Sequence, residues 1–174
     1  DLKSEEWFSH QPFPDTDGSS DNWIKGAGIY EDRNGRIWVS SSDRLNRFDP
    51  ENDDFESIDL PVEPLSMVLG SDGLMWMALP FTGLAALDIE TGDLRVFSHD
   101  EANPSSVSHE FGYAVHEDRQ GRLWYGTQVG LNLFDRDTGT ARRYLSEPGD
   151  PASLSNSTVR KIFEDAAGQL WFAT

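Results

Sequence analysis

The sequence predicts an all-β fold, a β-propeller fragment of about three and a half four-stranded antiparallel blades, and three recurrences predict it. A tryptophan returns at Trp38, Trp76, Trp124 and Trp171, at intervals of 38, 48 and 47 residues. That is close to the period of roughly 40 to 50 residues of propeller blades. A glycine stands shortly before each one, at Gly35, Gly73, Gly121 and Gly168, where a tight turn between two strands needs a positive φ. A second motif follows the first three tryptophans, as Leu45-Asn46-Arg47-Phe48-Asp49, Leu84-Ala85-Ala86-Leu87-Asp88 and Leu131-Asn132-Leu133-Phe134-Asp135.

Taken in order, each repeat reads as strands A to D. The A strand ends on the motif Glu31-Asp32-Arg33-Asn34-Gly35-Arg36-Ile37-Trp38, repeated as Glu117-Asp118-Arg119-Gln120-Gly121-Arg122-Leu123-Trp124 and Glu164-Asp165-Ala166-Ala167-Gly168-Gln169-Leu170-Trp171. Adjacent carboxylates on a strand point to opposite faces, which argues against a convergent catalytic pair. The Asp reads as a turn former capping backbone amides of the Asp-x-x-Gly hairpin. In the B strand, successive side chains of Leu123-Trp124-Tyr125-Gly126-Thr127 go to opposite faces. The C strand carries the second motif, and Gly92 and Gly139 close the C-to-D hairpins before D strands at Leu94 to Phe97 and Arg142 to Leu145. Four-stranded units that cannot cover both faces alone are stable when stacked radially.

The chain divides into the end of a preceding blade at 1–8, around Trp7-Phe8, blades at 9–58, 59–97 and 98–145, and the first half of a blade at 146–174. Both ends fall inside blades, so the piece is expected not to close alone, and to be dimeric or aggregation-prone in isolation. The formal charge of −17, from 31 acidic against 14 basic residues, repels phosphate backbones and excludes nucleic acid as a partner. No stretch approaches the ~20 apolar residues of a membrane helix. The absence of cysteine removes disulfides and thiolate metal sites.

The pattern Glu-Asp-x-x-Gly-x-Leu-Trp-x-x-Thr, then Gly-Leu-Asn-x-Phe-Asp, Thr-Gly and Asp-Pro-x-Ser-Leu-Ser, carried almost whole by residues 115 to 171, resembles the two-component regulator propeller repeat of bacterial sensor proteins. Blade two departs from it, with Leu69-Gly70 in place of Glu-Asp and a shorter lead-in. The resemblance implies the periplasmic sensing region of a membrane-anchored hybrid histidine kinase, one that binds a small ligand such as an oligosaccharide and acts as a homodimer. Such a parent carries the remaining blades and a kinase or diguanylate cyclase module, while this chain holds no enzyme. A propeller scaffold for protein contacts or receptor dimerisation, without small ligand, is the alternative reading. A streptogramin-lyase-like propeller is weaker, because it needs a catalytic His beside a metal-binding carboxylate and no such pair can be placed.

No catalytic residue, metal or cofactor is expected. Asp15 to Asp21 has the closely spaced carboxylates of a calcium loop. Its register, with Asp17 lying 21 residues before Trp38 as Asn103 and Asp150 lie before Trp124 and Trp171, makes it a repeat turn. His10, His99, His109 and His116 lack the spacing of a zinc helix. What remains is variation between copies. Trp23 takes the slot of His109 and Asn156, Phe81 sits beside Pro80 in a loop one residue longer than its counterparts, and Phe111 and Tyr113 take the slots of Thr158 and Arg160. These four aromatic residues, in D-to-A and B-to-C connections or at the start of A strands, which gather at one mouth of a propeller channel, are the candidate ligand-binding residues.

Overall fold

The computed structural model describes residues 28–32, 34–41 and 43–174, and all regular structure among them is strand. The strand expected around Trp7-Phe8, the Asp15 to Asp21 segment and Trp23 lie outside the described residues. The first sheet comprises β1 (Ile29–Glu31), β2 (Ile37–Ser41), β3 (Arg44–Asp49) and β4 (Asp54–Asp59). The second has β5 (Ser66–Leu69), β6 (Leu74–Leu79), β7 (Gly83–Asp88) and β8 (Leu94–Phe97), and the third β9 (Gly112–Glu117), β10 (Leu123–Thr127), β11 (Gly130–Asp135) and β12 (Thr140–Tyr144). A two-stranded sheet of β13 (Lys161–Glu164) and β14 (Leu170–Ala173) follows. Each sheet is an antiparallel meander in chain order. β9 lies against β5 and β6, and β13 against β9 and β10, so first strands of successive blades stand side by side.

The hairpin between first and second strands turns on glycines with φ of +77°, +86°, +77° and +80° at Gly35, Gly73, Gly121 and Gly168. The Asp of the Glu-Asp pair holds it. Asp118 Oδ1 accepts the amides of Gln120 and Arg122 at 3.0 and 2.9 Å, and its Oδ2 accepts the Trp124 indole N–H at 2.8 Å. Asp32 does the same for Asn34, Arg36 and Trp38, and Asp165 for Ala167, Gln169 and Trp171. An arginine from the turn covers the indole, with Arg36 5.7 Å from the Trp38 ring centre and Arg122 5.4 Å from that of Trp124.

Blade two reaches the same arrangement from other residues. Gly70 fills the Asp slot, and Asp72, two positions on, turns its carboxylate back into the space so vacated. A Cβ on Gly70 would come within 2.4 Å of Asp72 Oδ1. Asp72 Oδ2 accepts the Trp76 indole N–H at 3.0 Å and Oδ1 the Leu74 amide at 3.1 Å. Leu74 occupies the arginine slot, and the guanidinium comes instead from the neighbouring blade, where Arg136 lies 5.6 Å from the Trp76 ring centre and 3.5 Å from Asp72.

The Glu of the pair points the other way and joins blades. Glu117 Oε2 accepts the Ser71 amide at 2.7 Å and Arg136 Nη2 at 2.9 Å, and Glu164 Oε2 accepts the Arg119 amide at 2.9 Å. The apolar core divides along the same seams. One cluster joins Trp38 and Leu45 to Met67, Met75 and Met77, a second joins Trp76 and Leu84 to Val115 and Tyr125, and a third joins Trp124 and Leu131 to Val159. Both faces of β10 are therefore buried despite its alternation. Asn46 and Asn132 are buried because each donates to a carbonyl of the second strand, on Val39 and Tyr125, at 3.0 Å. Trp171, on β14, is 59% exposed.

Asp118→Ala removes the acceptor for a buried indole and two turn amides at once, and is expected to cost about 2–3 kcal/mol in urea unfolding; Asp118→Asn, which keeps an acceptor oxygen, should cost less. Acid should act at the same point. Burial alone would raise the Asp32 carboxyl, but hydrogen bonds from Trp38, Arg36 and Asn34 outweigh it and hold the pKa at about 2, and Asp118 and Asp165 are also lowered. A carboxylate depressed by folding contributes stability in full above its unfolded pKa and loses it as pH falls through the folded one. The urea midpoint is therefore expected to fall between about pH 4 and pH 2, and to fall less in a variant with Asp32→Asn.

Candidate ligand-binding mouth

Antiparallel pairing sets the start of each first strand beside the end of the second, as in Gly112 opposite Thr127. The connections into a blade and its second-to-third-strand loop therefore share one end of the sheet, and the Asp–Trp turns occupy the other. At the first end, the β6–β7 loop is one residue longer than the β10–β11 loop and carries Phe81 in the left-handed region at φ +58°. The residue is 74% exposed.

Phe81 meets Phe111 edge to face, with centroids 4.6 Å apart and planes at 89°. Phe111 in turn lies 4.9 Å from Tyr113, and the Arg160 guanidinium sits over the Tyr113 ring, 4.8 Å from its centre. Three of the four residues singled out from sequence are thus one contiguous aromatic ladder spanning two blades, and the fourth, Trp23, lies outside the described residues. Arg160, from the next blade, was missed as a site residue. Its signal was present, because it fills the slot of Tyr113 one repeat later.

The ladder stands on fixed backbone. The Phe111 amide donates to His109 Nδ1 at 3.0 Å and its carbonyl accepts the Gln128 amide at 3.0 Å. Between Phe111 and Tyr113, Gly112 admits the ring of buried Tyr125, which a Cβ would approach to 2.3 Å. The Arg160 amide donates to the Ala173 carbonyl, and the preceding Val159 amide ties to Thr127 of the adjacent blade, both at 2.9 Å. The arrangement offers ring edges and faces beside one cation on an open surface, which suits binding. A cavity of about 790 Å³ lies elsewhere, in the seam between blades two and three beside Trp76, Phe97 and Arg136. Two guanidinium groups at that seam are already engaged, Arg122 by Asp118 and Arg136 by Glu117.

With this geometry in place, residues 18–43 and 153–174 match the model of the two component regulator propeller family. The match covers those two segments, which contain the first and the last of the repeat tryptophans, Trp38 and Trp171. No curated protein matches it. Among solved structures, the extracellular domain of one hybrid two component system of B. thetaiotaomicron superposes with TM-score 0.70 at 22% identity, over 88% of this chain and 22% of that one. The extracellular domain of a second such system from B. thetaiotaomicron gives 0.66 at 23% identity, over 83% and 19%. Virginiamycin B lyase of Staphylococcus aureus gives 0.61 at 20% identity, over 84% and 47%. At these identities the likeness is one of fold, and this chain spans about a fifth of the length of the two extracellular domains.

The strain at Phe81 has a measurable counterpart. A non-glycine residue in the left-handed region costs about 1–2 kcal/mol, while an edge-to-face ring pair returns about 0.5–1.5 kcal/mol. Phe81→Gly is therefore expected to shift stability by less than about 1 kcal/mol in urea unfolding, whereas Phe111→Ala, which removes both ring contacts and relieves no strain, should destabilise clearly.

Proposed function

We propose that this region is the ligand-sensing propeller of a membrane-anchored bacterial two-component receptor, placed outside the cytoplasm, and that the mouth around Phe81, Phe111 and Tyr113 binds an oligosaccharide. The observation that carries this reading is the ladder itself. Three aromatic residues peculiar to single blades, and so not required by blade construction, converge at one mouth with centroids under 5 Å apart in each contact. Flat rings beside polar loop groups are what a sugar's apolar face and hydroxyl edges require. The regulator propeller repeats and the shared fold with extracellular domains of hybrid two component systems support the receptor context.

A stiff propeller transmits a signal only if ligand favours one receptor arrangement over another, for example in how two propellers pack in a homodimer. The exposed face of the last blade, with Phe163 and Trp171, supports a further partner. Its counterparts Trp38, Trp76 and Trp124 are each covered by the following blade, so its occupant is another blade of the same repeat.

Calorimetric titration of the full chain that carries this propeller with an oligosaccharide panel is expected to find a ligand whose affinity falls at least tenfold in the Phe111→Ala, Tyr113→Ala double variant. Binding unaffected by both changes would remove the site assignment. A full-length sequence without a membrane span or signalling module would remove the receptor reading.

A further inference from the structure

Resting on the reading of the mouth as a saccharide site, we infer that Arg160 makes it select oligosaccharides bearing an anionic group, a carboxylate or a sulfate. The chain carries 31 acidic and 14 basic residues, and its arginines are mostly spent on that excess. Arg36, Arg44, Arg47, Arg119, Arg122 and Arg136 each lie within 4.0 Å of a carboxylate. Arg143 is engaged by backbone carbonyls of Asn103, Ser106 and Val107. Arg95 and Arg142, which make no ion pair among the described residues, stand on the fourth strands β8 and β12, away from the mouth.

Arg142, 5.0 Å from the Tyr144 ring centre, shares with Arg160 its exposure, its lack of an ion pair among the described residues and its contact with a ring, and what sets Arg160 apart is its place at the mouth, over the Tyr113 ring of the ladder. Stacking on a ring leaves the in-plane N–H groups of a guanidinium available, and that planar fork matches carboxylate and sulfate oxygens two at a time. The ring contact also restrains the cation before ligand arrives, so less side-chain freedom is lost on pairing. The ladder continues from it through Tyr113 and Phe111 to Phe81, so a saccharide lying along the rings places one end at the guanidinium. In a chain of net charge −17 the surrounding field disfavours an anion, and a fixed local cation is what would let an acidic sugar dock there rather than be repelled.

The test is a glycan array of matched neutral, uronic-acid and sulfated oligosaccharides, probed with the full chain, followed by titration of the best binder and its neutral counterpart. Wild type is expected to bind an anionic member at least tenfold more tightly than its neutral match. Arg160→Gln should abolish that preference, and Arg160→Lys should restore only part of it, since an ammonium cannot make the bidentate pair. The uronate and sulfate arms identify which anion is preferred. Neutral and anionic members binding equally, or a preference that survives Arg160→Gln, would overturn the inference and leave the saccharide reading standing. Binding to no member of the array would overturn both.

Discussion

One carboxylate per blade ties the structure together. In blade three the first oxygen of Asp118 closes the hairpin between the first two strands by accepting two turn amides, and its second accepts the N–H of an indole that would otherwise be buried without a partner. The turn therefore fixes the tryptophan, and the tryptophan fills the seam with the next blade. Local hairpin geometry and long-range blade packing thus share a single group. Removing it exposes the asymmetry of buried hydrogen bonds, whose net gain is modest but whose loss leaves an expensive orphan.

Blade two demonstrates that the requirement is for an oxygen at a point in space rather than for a residue at a position. A glycine in the Asp slot opens room, Asp72 fills it from two residues away, and the missing arginine is replaced by Arg136 of the adjacent blade. The replacement has a consequence for the assembly. Arg136 also reaches Glu117, so the seam between blades two and three is held by a network in which the turn of one blade depends on residues of the next. Blade one makes a related link in the opposite sense, with Arg36 of its turn paired to Glu90 of blade two.

The two ends of the sheets divide their roles. The turn end carries the Asp–Trp devices and the Glu links, so a change there disturbs packing. The mouth end carries connections whose length and residues differ from blade to blade, and there the chain holds an exposed phenylalanine in a left-handed conformation that blade construction does not explain. Strain of this kind persists where surrounding structure over-determines it, and it clusters at binding sites. Rigid blades supporting variable loops are the arrangement expected where function resides in the loops.

Much of this was legible in the sequence, because the repeat multiplies every signal. The Trp period, the glycine before each tryptophan and the Leu-Asn-x-Phe-Asp motif fixed strand order and turn positions, and the capping role of Asp32 and Asp118 followed from Asp-x-x-Gly chemistry. Comparing slots between repeats also picked out Phe81, Phe111 and Tyr113 as residues that blade construction leaves unexplained. What the chain order could not express was contact across a seam: that Glu117 bonds the preceding blade's turn, that Arg136 supplies blade two's missing cation, and that Arg160 caps the ladder. Periodicity is a property of one blade and can be read along the chain, whereas these pairings depend on how blades are set against one another. Side chains 45 or more residues apart, such as Ser71 and Glu117 or Arg119 and Glu164, are brought together by tertiary packing alone.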